Sequence, residues 1–190
     1  MNTSKKQLAE QILRLLSAGN YTNDQEIDIR ELILHVSQVL ASVVRVRYFQ
    51  NKAEGDDYIN GSYIYTFKNV EVKEDKDLNQ FYAEIPASTM DLPNDAAIHF
   101  VGYMQDQSRP IKRVPNGFIG ITQGTSKAFL EGNSGFYVEG RNIFLVNIKK
   151  GEDPCKLLIK LVVAFGYIPE NKEIFMPLDA QNEIIDRVLS

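Results

Sequence analysis

The residues able to do proton, metal or nucleophilic chemistry are few: His35, His99 and Cys155 are the only histidines and cysteine in 190 residues. Nucleophilic hydrolysis needs a nucleophile, a base within hydrogen-bond reach and a group that orients the base. His35 lies between Leu34 and Val36 in a helical pattern, where a structural or solvent-facing imidazole is the ordinary outcome. His99 sits in Ile98-His99-Phe100-Val101, whose alternation turns it away from Ile98 and Phe100. Neither histidine has a spaced partner of its own kind, so the sequence offers no zinc-ligand set. Asp24, Glu26 and Asp28 have the alternate spacing of a calcium loop, but the places that require Gly and Glu hold Ile29 and His35. They read as a solvated turn leading into a helix cap, and Asp75 and Asp77 read as hairpin-turn residues. Gly117, Gly120 and Gly124 are glycines in search of a phosphate, yet Gly124-Thr125-Ser126-Lys127 reverses the order that a P-loop needs. The residues therefore predict no catalytic, cofactor-binding or metal-ligating site, no cofactor, and a protein that is not an enzyme.

The charge balance points the same way. With 25 acidic against 21 basic residues the formal charge is -4, which excludes an overall basic nucleic-acid binder. The basic pairs Arg45 and Arg47, Lys112 and Arg113, and Lys149 and Lys150 offer weak phosphate contacts at most. Hydrophobic residues at 44%, with 10 Phe and 9 Tyr, describe a globular chain that can bury a core. Cys155 has no partner for an internal disulfide, which fits a reducing compartment. The first residues lack the apolar core of a signal peptide. No window approaches about 18–20 uninterrupted apolar residues, and the best run, Leu157 to Tyr167, is broken by Lys160, so no membrane contact is expected.

Two amphipathic segments open the chain. Leu8, Ile12, Leu15 and Leu16 share one helical face, with Thr3 or Ser4 as N-cap and Gly19 as the stop. Asp28 and Glu31 have capping-box spacing, Ile27 and Leu32 occupy the staple positions, and Ile29, Leu32, Ile33, Val36, Leu40 and Val43 continue the helical pattern toward Lys52 and the Gly55-Asp56-Asp57 break. From Tyr58 the period changes to that of strands: 62–67, 70–73, 80–85, 98–104, 136–139, 142–148 and 156–165 are rich in β-branched and aromatic residues and separated by turn residues. Gly140-Arg141 predicts a two-residue hairpin turn, and residues 75–79 a second reversal. The last strand is apolar on both faces and should be central. Asp179 is the expected N-cap of a final helix whose apolar face is Ile184, Ile185, Val188 and Leu189. That face has two readings, packing on the chain's own sheet or docking into a neighbouring subunit.

The expected fold is therefore α+β: an N-terminal helical hairpin over 1–55, an antiparallel β-sandwich-like domain over 56–170 and a C-terminal tail and short helix over 171–190, together one compact unit. Residues 52–61 are the candidate seam.

The order of the segments resembles a known family. The strand ending Tyr82-Ala83-Glu84-Ile85-Pro86 is followed by Met90-Asp91-Leu92-Pro93-Asn94-Asp95-Ala96-Ala97-Ile98, then Val114-Pro115-Asn116-Gly117, then Gly132-Asn133-Ser134-Gly135-Phe136-Tyr137-Val138-Glu139-Gly140-Arg141-Asn142-Ile143-Phe144. With two helices before them, and Tyr167-Ile168-Pro169 and a short helix after, the pattern resembles head-to-tail connector proteins of short-tailed phages, closest to the ring proteins of crAss-like phages. The resemblance implies a non-enzymatic virion protein, assembled in the host cytoplasm, that forms a closed ring of about twelve copies at the portal vertex. Its implied partners are further copies of itself, the phage portal protein and adjacent ring or tail proteins, with genome DNA only as non-specific cargo in the channel and no membrane. A ring needs two complementary faces per subunit, and Leu8, Ile12, Leu15, Ile184, Ile185, Val188 and Leu189 are the candidate subunit or partner interface. The alternative is a ligand- or carbohydrate-binding β-domain acting as a monomer, supported by the many tyrosines. A carboxylate enzyme such as a glycosidase is a third reading, but no spacing marks the required pair of acids.

Overall fold

Ser4 decides where the first helix begins. Its hydroxyl accepts from the Gln7 N–H at 3.2 Å, and the Gln7 side chain accepts in return from the Ser4 N–H at 2.8 Å, a complete capping box that starts α1 (Lys5–Leu16). The computed structural model describes residues 2–17, 28–56, 59–78, 80–105, 110–115, 134–148, 156–176 and 178–189. Gly19, Ile27, Cys155, the acidic pair Asp24 and Glu26, Lys149 and Lys150, and the glycines at 117, 120 and 124 lie outside them. Asp28 caps α2 (Ile29–Ala53) as expected, accepting from the Arg30 N–H at 2.9 Å. Glu54 closes α2, and Gly55 follows with φ 85°, the left-handed conformation that suits glycine after a helix. The final helix, α3 (Leu178–Leu189), begins one residue before Asp179. Asp179 is thus a first-turn residue and not the N-cap, although its charge still favours that helix end.

The described chain divides into two units, 1–64 with 163–190, and 65–162. Residues after 162 pack with the N-terminal helices, so the C-terminal tail and helix join the first unit. In the first unit the three helices pack on one another. Leu8, Ala9 and Ile12 of α1, Val36, Leu40 and Val43 of α2, and Ala180 and Ile184 of α3 are each at most 1% exposed. Phe165, Ile168, Ile174 and Met176 extend this core, and Phe165 meets Tyr63 edge-on with ring centroids 5.7 Å apart. A two-stranded antiparallel sheet ties the chain ends together: β1 (Asn2–Ser4) pairs with β10 (Glu173–Phe175). The α3 helix therefore packs on α1 and α2, a third answer beside the two expected for its apolar face.

By length and composition α2 is able to cross a bilayer, with a mean hydropathy of 1.3 over its best 18 residues. Leu32, Ile33, Val36, Leu40, Val43, Val44 and Tyr48 nevertheless line a face buried within the first unit.

Lys5 is an unusual core member. It is 3% exposed and donates from Nζ to the Phe165 carbonyl oxygen at 2.8 Å. Burial holds its pKa below the ordinary lysine value, and the Glu170 charge opposes that shift. The folded chain therefore binds this proton less tightly than the unfolded chain does, so stability rises with pH between the lowered folded value and the ordinary 10.5. Urea midpoints measured from about pH 8 to about 10.5 should show this rise in the wild type and a flatter profile in Lys5→Met. Equal slopes in the two proteins would remove Lys5 as its source.

The described residues of the second unit form two sheets. One has the order β2-β9-β5, from β2 (Ile64–Glu71), β9 (Lys156–Val162) and β5 (Ile98–Tyr103). Its central strand is the one expected from the sequence, and Leu157, Leu158, Ile159, Leu161 and Val162 are at most 2% exposed. The other has the order β3-β4-β8-β7-β6, from β3 (Lys73–Asp75), β4 (Gln80–Glu84), β8 (Asn142–Val146), β7 (Gly135–Glu139) and β6 (Lys112–Arg113). Its hairpin turns at Gly140, φ 60°, with Glu139 opposite Asn142. Residues 64–71 are a single strand, with Asn69 at φ 58° inside it, where two short ones were expected, and the chain passes to the other sheet between Glu71 and Lys73. Residues 110–114 join the sheets: Ile111 N–H donates to the Val101 carbonyl, and Val114 N–H donates to the Phe136 carbonyl. β3 with β4, β4 with β8, β7 with β8 and β5 with β9 pair antiparallel, and β6 pairs with β7 in parallel. The fold class is α+β as the sequence predicts, with an N-terminal helix pair, antiparallel sheets and a C-terminal helix.

Candidate functional site

The C-terminal half of α2 carries Arg45, Val46, Arg47, Phe49 and Lys52 with no acidic residue between them. Helical geometry spreads these around the cylinder, so Arg47 turns toward α3 while Phe49 is left outward, 49% exposed. Arg47 donates to Asp179 at 3.1 Å and to Glu183 at 3.4 Å. Glu183 also pairs with Arg187 at 2.8 Å, one turn further along α3, and Arg187 reaches the Ser42 hydroxyl at 3.4 Å. The charges thus alternate across the α2–α3 seam. These groups are a third or more exposed, so water screens them and each pair is worth about 0–1 kcal/mol.

Beside this network lies a cavity of about 530 Å³ within the first unit. Val44, Val46 and Tyr48 of α2 and Ile59 give it an apolar part. Gln50, Asn51, Asn60 and Tyr63 add amide and phenol groups, and Asp179, Glu183 and Arg187 come from α3. Asn60 is held in place because its side-chain oxygen accepts from the Ser62 N–H at 3.0 Å and the Ser62 hydroxyl at 2.8 Å. Burial pushes the Tyr63 phenol up, with Arg47 opposing and Asp179 adding to the shift, so it remains a protonated donor. Such a surface can seat a polypeptide segment with an apolar side chain and flanking charges.

His35 and His99 are both exposed, in the positions that helical spacing and strand alternation assign them. Asp28 is a helix cap, and Asp75 holds its hairpin turn by accepting from the N–H groups of Asp77 at 3.0 Å and Leu78 at 3.1 Å. No cluster of three His, Cys, Asp or Glu side chains able to hold a metal occurs among the described residues.

The seven expected interface residues do not form one surface. Leu8, Ile12, Ile184 and Ile185 are 0–7% exposed and belong to the core of the first unit, which corrects their assignment to a contact with another chain. Val188 is half-buried, whereas Leu15 at 53% and Leu189 at 40% remain exposed. The periodicity identifies the apolar side of a helix, and the fold uses that side first for its own packing.

Among the described aromatic residues of the second unit Phe136, Tyr137 and Phe144 are buried, and Tyr65, Phe67, Phe81, Tyr82, Phe100 and Tyr103 are half-buried. Tyr137 and Phe144 stack with centroids 5.2 Å apart, and both are less than 8% exposed. Tyr82 packs against the same cluster, and the Tyr137 hydroxyl donates to Gln80 at 2.9 Å. Burial, reinforced by Glu139, pushes the Tyr137 phenol up, and the Gln80 bond opposes this. Tyr137 and Phe144 are therefore core members, closed to a ligand outside the fold.

The ion-pair network escaped the sequence reading, which took Arg47 as half of a basic pair and Asp179 as a cap. Its one local signal is the four-residue spacing of Glu183 and Arg187. Arg47 lies more than a hundred positions away in sequence and joins only through folding. Compared with models of known protein families and with curated proteins, the chain matches none.

Proposed function

We propose that this protein is a non-enzymatic virion structural protein that forms a ring at the portal vertex, joins the capsid portal to the tail and surrounds the DNA channel. The observation that carries the proposal is the order and spacing of the segments from Tyr82-Ala83-Glu84-Ile85-Pro86 to Phe144, which resemble those of phage connector proteins. The surface is compatible with assembly: Leu15, Leu16, Leu34, Val46, Phe49, Leu178 and Leu189 are large apolar residues left exposed on the helices. The net acidic charge of -4 suits a conduit, because a strongly basic wall would hold passing DNA through counterion release.

Negative-stain imaging with mass determination, on the chain alone and mixed with the portal protein of the same phage, tests the proposal. The expected result is a hollow ring that caps the portal. A chain that stays monomeric and binds neither the portal nor the adjoining ring protein would overturn it.

A further inference from the structure

Large apolar side chains are unequally shared between the two units. Among the described residues of the second unit only Leu78 is a large hydrophobic residue left strongly exposed, at 58%, whereas the first unit exposes several. Leu78 stands at the β3–β4 turn. The turn backbone that carries it is preformed, because the Asp75 carboxylate accepts from the N–H groups of both Asp77 and Leu78. At the base of the hairpin Lys73 pairs with Glu84 across the strands at 2.6 Å. A preformed knob loses little conformational freedom on docking.

The matching surface is the outer side of α2 next to the α2–α3 cavity. Val46 lines that cavity and is 39% exposed, and Phe49 follows at 49%. The charges are complementary. Glu74, Asp75, Lys76 and Asp77 give the hairpin a net negative tip, while Arg45 and Lys52, at i−4 and i+3 of Phe49, put positive charge on the outer side of α2 that carries Phe49. On the opposite side Arg47 meets Asp179 and Glu183 of α3, and Arg187 pairs with Glu183. Arg47 already binds both acids, and Asp179, whose side chain is 74% exposed, offers a carboxylate to Lys76.

We infer that Leu78 at the hairpin tip of one copy docks beside Val46 and Phe49 of the next copy, with the acidic tip lying along the basic side of α2. The contact deepens the ring reading above, on which it rests for its symmetry. Because knob and socket are different surfaces, the interface is head-to-tail, and repetition gives a closed ring or an open filament.

Two single substitutions at exposed positions test it: Leu78→Asp removes the knob and Val46→Asp blocks the socket. Sedimentation of the full chain over a concentration series should show the wild type assembling beyond dimers and each variant remaining monomeric. An equimolar mixture of the variants should stop at a one-to-one dimer, because only one intact knob and one intact socket remain per pair. Unchanged assembly of either variant, or a mixture that stays monomeric, would overturn the contact. If the variants still form rings on the portal as the wild type does, the ring reading stands and this interface falls. A wild-type chain that is monomeric at every concentration removes the contact, while portal binding still decides the ring reading.

Discussion

Replacing Ile184 by alanine is expected to cost about 2–5 kcal/mol, the range for emptying a fully buried aliphatic site. Ile184 is 0% exposed in a core that also holds Leu8, Ile12, Val36 and Leu40. The cost has two sources, the lost transfer of three carbon atoms out of water and the space that three packed helices cannot collapse to fill. The urea midpoint should fall with an unchanged slope, and hydrogen exchange should quicken in α1, α2 and α3. Leu189 lies on the same helix at 40% exposure and serves as the comparison. Its replacement by alanine should change stability by no more than about 0.5 kcal/mol. Equal effects at the two positions would mean that α3 is not part of the core.

Ile159→Ala should be similarly costly, about 2–5 kcal/mol, for a different reason of placement. Ile159 lies at the middle of β9, between β2 and β5, and is 0% exposed. Its neighbours Leu158 and Leu161 are at most 2% exposed although they alternate across the strand, so both faces of β9 are covered. Lys160 provides the contrast on the same strand. It is only half-buried, and its ammonium lies 5.3 Å from the centre of the Phe100 ring, a cation–π contact worth about 0.5–1 kcal/mol at such a site. The expected order of destabilisation, Ile159→Ala well above Lys160→Ala, can be read from thermal midpoints and from exchange in β2, β5 and β9. A reversed order would contradict the central placement of β9.

Much of this architecture is legible because the deciding physics is local. Asp28 announces a helix through its side-chain acceptor, Gly140 announces a turn through its freedom at positive φ, and β9 announces a central strand by being apolar on both sides. What failed to show is what depends on distant partners. Leu15 and Leu16 share the apolar side of α1, yet they are 53% and 42% exposed because they occupy the last turn of the helix. Ala9, too small to stand out in a hydrophobic pattern, is 0% exposed. The strands β1, β6 and β10 span only two or three residues and owe their conformation to partners far along the chain, Asn2 opposite Phe175 being the extreme case. For the candidate site, the Glu183–Arg187 spacing is readable on one helix, whereas Arg47 and Tyr63 reach it only in the folded state. Leu78 was visible as part of a turn, but its exposure is a property of the folded surface.

The division of the chain also orders events during its synthesis. Residues 65–162 are contiguous, so the second unit has all its own strands once Val162 has left the ribosome. The first unit is discontinuous. Its α1 and α2 helices are made early, but Ile168, Ile174, Met176 and Ile184, which complete their core, come from the last part of the chain. Throughout translation of the intervening residues Leu8, Ile12, Val36 and Leu40 lack those partners, which makes the nascent helices the stage at which a chaperone or a wrong neighbour can intervene.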